Sequence, residues 1–112
     1  MTLKETKMLS RKVIDDYVRG LVERFHPQSV VLFGSQAAGT ANEDSDVDLL
    51  VVMDHDRLRD VEQEIAIDCA LPRTFPLDIL VRRPEDLQRR LKANDMALIT
   101  ILKTGSMLYE RS

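Results

Sequence analysis

Residues 29–53 read SVVLFGSQAAGTANEDSDVDLLVVM, and the reading of this stretch decides the fold. Its two ends, Ser29–Phe33 and Asp46–Met53, are short apolar runs rich in β-branched residues, the composition of buried strands. The segment between them, Gly34–Ser45, is small and polar and reads as a loop or turn region. A hairpin through it would set the two strands antiparallel. Its 12 residues also permit other routes.

Outward from this core, helices and strands alternate. From about Glu5 to Phe25 an amphipathic helix is expected, with Val13, Ile14, Tyr17, Val18, Leu21, Val22 and Phe25 on one stripe. Gly20 weakens its far end by about 1 kcal/mol against alanine, and His26-Pro27 ends it. After the second strand, Leu58, Val61, Ile65 and Cys69 mark a helix ending near Pro72. Pro76–Val81 reads as a third strand. Pro84 suits the first turn of a short helix over Glu85–Leu91. Asp95–Lys103 reads as another helix, stopped at Gly105, and Ser106–Tyr109 as a last short strand. The order predicts one α/β domain over residues 1–112, with no visible linker.

Composition narrows the function. Hydrophobic residues make up 44% and charged residues 31% of 112, the balance of a soluble globular chain. The net charge of −3 and pI near 5.3 argue against a grip on long nucleic acid, which calls for a basic face. The single cysteine, Cys69, excludes an intrachain disulfide and a cysteine-based zinc site. No apolar run reaches the roughly 18–20 residues of a membrane span, and the N-terminus lacks a signal-peptide core. A cytoplasmic protein is expected.

Chemistry concentrates in three aspartates. Asp46 and Asp48 stand two apart on a strand, so both point to one face and Val47 to the other. Two carboxylates so placed repel unless a cation lies between them, and a hard ion with oxygen ligands such as Mg²⁺ answers that need. Asp78 interrupts the apolar run Leu77–Val81, where a buried ionised carboxylate is costly unless paired or metal-bound. If that strand neighbours the Asp46–Asp48 strand, the three carboxylates converge on a two-metal site for in-line displacement at phosphorus. Asp78 could also help take up the proton of the attacking hydroxyl. Asp-x-Asp alone is common, and Asp46 could equally cap a turn. Gly34-Ser35, directly after the first strand, lets backbone N–H groups and a hydroxyl approach a phosphate, or is an ordinary strand-ending turn.

Taken together, FGSQAAGTANEDSDVDLLVV and PLDILV resemble the signature of the DNA polymerase β-like nucleotidyltransferase superfamily, in the form of its minimal MNT-domain branch. The resemblance implies an α/β (α+β) fold with a small mixed β-sheet flanked by helices. It implies AMP transfer from ATP to a hydroxyl, with two Mg²⁺ ions on the catalytic residues Asp46, Asp48 and Asp78 and the nucleotide at Gly34 and Ser35. It further implies an antitoxin that places AMP on a tyrosine of a partner HEPN-domain toxin encoded nearby. Relatives often carry basic residues after Gly-Ser, where this chain has the uncharged Gln36-Ala37-Ala38. Cationic help would then come from elsewhere, such as Lys103 or a partner chain. Transfer to a small molecule such as an aminoglycoside, with a helical partner subunit, is one alternative. A non-catalytic binding antitoxin is another.

The remaining residues read more plainly. Glu43 and Asp44 solvate the loop. His55 sits in an exposed turn rather than a metal site. Cys69 is a buried thiol on the apolar stripe. Arg82, Arg83, Arg89 and Arg90 form a solvated face or meet an acidic partner. Tyr17 and Tyr109 pack, though an exposed Tyr109 could itself accept AMP.

Overall fold

The computed structural model describes residues 11–39 and 46–111. The elements run α1 (Arg11–Phe25), β1 (Ser29–Phe33), α2 (Ser35–Ala38), β2 (Val47–Val52), α3 (Asp60–Ala70), β3 (Leu77–Arg82), α4 (Pro84–Lys92), α5 (Met96–Thr104) and β4 (Ser106–Glu110). The start of the helix expected from Glu5 lies outside the described residues. α1 buries Ile14, Tyr17, Val18 and Leu21, the stripe its periodicity marks. It runs through Gly20 unbroken, because burial of that stripe outweighs the local propensity cost.

The four strands form one mixed sheet in the order β3-β2-β1-β4. β1 pairs antiparallel with β2 and with β4, and β2 pairs parallel with β3. Alternation along each strand divides the core in two. Val30, Leu32, Val47, Leu49, Val51 and Val81 join α1 and Ile67 of α3 on one face. Val31, Leu50 and Val52 join Leu87 of α4 and Leu98 of α5 on the other. β3 is an edge strand, and its Val81 N–H is covered by the Glu64 carboxylate of α3 at 2.9 Å, which protects an otherwise open ladder.

Several expectations are corrected. The segment after β1 is not all loop: Ser35–Ala38 forms a helical turn, closed by Gly39 in the left-handed region at φ 77°. α3 exists, yet it begins at Asp60, after Leu58, and Leu58, Val61, Ile65 and Cys69 all face solvent, so Cys69 is exposed rather than buried. Polar anchors set the roll of this helix. The His55 side chain is only 2% exposed, and its Nε2 lies 2.7 Å from Asp60 Oδ1 at the helix start. The exposed turn expected for His55 is therefore also wrong. Arg57 Nε donates to Gln63 Oε1 at 2.9 Å, and Gln63 is buried. Arg89 and Arg90 are solvated as expected, whereas Arg82 and Arg83 are partly buried. Arg82 and Arg83 lie near Asp60, Arg89 pairs with Asp86 and Arg90 with Asp95.

Candidate active site

The two aspartates of the pairing β2–β3 sit in register, Asp48 opposite Asp78, and Phe33 of β1 lies opposite Asp48 on the other side. On β2, Asp48 falls in the alternation set of Leu50 and Val52, the face that α4 and α5 cover. Asp78 falls with Leu80 on that same face. Asp46 precedes the strand directly and is exposed. All three stand at one end of the sheet, where β1 runs out into Gly34.

Burial, then the charge of Asp78, then that of Asp46 push the Asp48 carboxyl above its ordinary range. The cause is legible in the contacts: among the described residues no ion pair engages any of the three aspartates. Among the described residues no group of three or more His, Cys, Asp or Glu side chains is drawn together as a metal cluster. Asp78 also differs from its expectation. It is exposed on an edge strand, so the cost of burying a lone carboxylate does not apply to it.

Gly34 is built into the same spot. It adopts φ 75° and ψ −156°, a region open in practice only to glycine. A Cβ there would overlap Asp48 Oδ2 and lie 3.3 Å from Asp48 Cγ. The backbone of the glycine–serine turn thus packs directly on the central carboxylate. Gln36, in the turn that follows, is buried with its Nε2 unpartnered.

Beside the turn a cavity of about 420 Å³ is lined by Phe33, Gly34, Ser35 and Ala38 together with Thr100, Ile101 and Thr104 of α5. The α5 residues carry no local signal of a site, since in sequence they are only part of an amphipathic helix. Lys103, the candidate cation, is exposed on α5 and does not line this cavity.

The chain belongs to the Polymerase beta, Nucleotidyltransferase family, which matches residues 18–112, and it is a nucleotidyltransferase. It is 29% identical over 114 aligned residues to a candidate protein adenylyltransferase of Methanocaldococcus jannaschii, covering 96% of this chain and 76% of that protein. Its fold is similar to a candidate nucleotidyltransferase from Sulfolobus solfataricus, with TM-score 0.62 and 21% identity over 89% of this chain and 79% of that one. It is also similar to a chain of a toxin–antitoxin structure with AMP-PNP, with TM-score 0.54 and 20% identity over 88% and 74%. A mutant of the toxin–antitoxin pair MntA–HpeT gives TM-score 0.50 and 21% identity over 94% and 76%.

Proposed function

We propose that this chain transfers AMP from ATP to a tyrosine hydroxyl of a partner HEPN-domain toxin, and so acts as its antitoxin. The observation that carries the transferase site is Asp48 held in register with Asp78, next to Asp46, with Gly34 against its carboxylate. The donor set fits a hard divalent cation: oxygen ligands only, a raised carboxyl at the centre and no competing ion pair. Asp46, Asp48 and Asp78 would hold two Mg²⁺ ions. When bound, such ions neutralise charge on the triphosphate and make the attacking hydroxyl more acidic.

The rest is the work of the chain itself. Gly34 and Ser35 present N–H groups of a helical first turn, which lack intrahelical partners, to the triphosphate. The neighbouring cavity takes the nucleoside between Phe33 and α5. The acceptor oxygen forms a bond to the α-phosphorus, the α–β phosphoanhydride bond breaks, and pyrophosphate leaves. Exposed Asp78, on the edge strand, takes up the hydroxyl proton. The names of the M. jannaschii relative and of the two toxin–antitoxin structures support a protein acceptor.

The test is transfer of label from α-labelled ATP with Mg²⁺ into host lysate, beside the Asp46→Asn, Asp48→Asn variant. A single labelled protein that disappears with the variant supports the reading. Label appearing only in small hydroxyl compounds, or in nothing, rejects protein AMPylation.

A further inference from the structure

The described residues that line the cavity beside Gly34 are all uncharged. Phe33 and Ile101 give it apolar surface, and Ser35, Thr100 and Thr104 give it hydroxyls. Such a wall holds a planar heterocycle by apolar contact and reads it by single hydrogen bonds. Which base it reads depends on what the hydroxyls can still do.

A free hydroxyl rotates to serve a donor or an acceptor alike, so it selects neither. The Thr104 hydroxyl is not free. Its Oγ1 donates to Thr100 O at 2.8 Å, one helical turn back. Its hydrogen is therefore spent, and only its lone pairs remain for a ligand. Its place is fixed as well. The Gly105 N–H, next in the chain, donates to Ile101 O at 2.8 Å. A Cβ on Gly105 would stand 2.7 Å from Val31 Cγ1 and 2.8 Å from Leu32 O, so the end of α5 settles on β1 as closely as glycine allows. Thr104 thus stands at the cavity as a held acceptor rather than an adaptable contact.

We propose that Thr104 selects the base of the donor nucleotide, accepting a hydrogen bond from the exocyclic amine of a 6-aminopurine. This rests on the reading of the cavity as the nucleoside site. Adenine offers an amine donor at the position where guanine carries a carbonyl acceptor. A 6-oxo group would set acceptor against acceptor, unless the Thr104 hydroxyl gave up its bond to Thr100 O. Either course leaves a polar group without its partner, which is how a hydrogen-bonding site rejects the wrong ligand. Guanine also brings an N1–H and an N2 amine. Among the described residues lining the cavity there is no carboxylate to accept from them.

The test is equilibrium binding by isothermal titration calorimetry, with Mg²⁺ and without an acceptor protein, so that base selection is read apart from transfer. The probes are ATP, inosine triphosphate and purine riboside triphosphate, which carry an amine, an oxo group and a hydrogen at the same ring position. The unsubstituted chain should bind ATP roughly tenfold more tightly than the other two, the worth of one hydrogen bond. Thr104→Val keeps the shape and removes the acceptor, and should bring the three affinities within roughly threefold of one another. Thr104→Ser should keep the preference for ATP. A variant that merely disturbs the fold would weaken all three together and leave their ratios as they were. Equal affinities in the unsubstituted chain overturn the proposal, while transfer of label remains a separate reading. A preference for ATP that survives in Thr104→Val, or is lost in Thr104→Ser, overturns it too. Binding of none of the three overturns both this proposal and the nucleotide site on which it rests.

Discussion

Gly34→Ala probes the link between backbone and site most sharply. The residue sits at φ 75° and ψ −156°, and placing a side chain there costs about 1–3 kcal/mol in backbone strain. The added Cβ also overlaps Asp48 Oδ2, and displacing that carboxylate adds about 1–3 kcal/mol of overpacking. A combined loss of about 3 kcal/mol should lower the melting temperature by roughly 10–15 °C for a domain of this size. The two contributions separate in an Asp48→Ala background. There Cγ and Oδ2 are gone, and the remaining Asp48 Cβ, 3.6 Å away, is an ordinary contact. The cost of Gly34→Ala should then fall by roughly 1–2 kcal/mol, read as the coupling energy of a double-mutant cycle in urea or thermal unfolding. Label transfer from ATP should drop sharply in the Gly34→Ala variant alone. Unchanged stability in Gly34→Ala, or an equal cost in both backgrounds, would refute the close packing of the turn on Asp48.

Further outcomes follow from the same packing. Because the folded Asp48 carboxyl is raised, its ionised form costs stability, and stability attributable to it grows as pH falls through the folded value. Asp48→Asn should therefore stabilise the fold at neutral pH while abolishing transfer; calorimetry with and without Mg²⁺ checks this, the ion raising the melting temperature of the unsubstituted chain only. Gly105→Ala should destabilise by about 2–3 kcal/mol, since its Cβ would meet Ile101 O at 2.5 Å, Val31 Cγ1 at 2.7 Å and Leu32 O at 2.8 Å. Gly20→Ala should stabilise by roughly 0.5–1 kcal/mol, because its Cβ meets only Leu71 Cδ2, at 3.7 Å; the pair can be compared in one set of urea melts. Tyr17 OH is buried without a partner, and burial raises its pKa to about 12. Tyr17→Phe should thus be neutral or stabilising by up to about 1 kcal/mol, and a clear loss of stability would reveal a missed partner.

Periodicity and turn chemistry by themselves determined where the elements other than α2 lie. SVVLF, DVDLLVV and PLDILV are apolar runs whose two-residue alternation assigns each side chain a face, and Asp95 caps the start of α5 as its residue type favours. That Asp48 turns to the face opposite Val47 was readable for the same reason. What no local pattern holds is the neighbour of each face. Only the pairing of β2 with β3 brings Asp78 opposite Asp48, and only the strand order makes β3 an edge and leaves Asp78 in water. The roll of α3 was likewise decided at long range: two apolar sets compete on that helix, and the anchors His55–Asp60 and Arg57–Gln63 turn Ile67 inward and Ile65 outward. Thr100, Ile101 and Thr104 became part of a cavity because α5 packs across the end of β1, a contact between residues nearly seventy positions apart that sequence spacing does not encode.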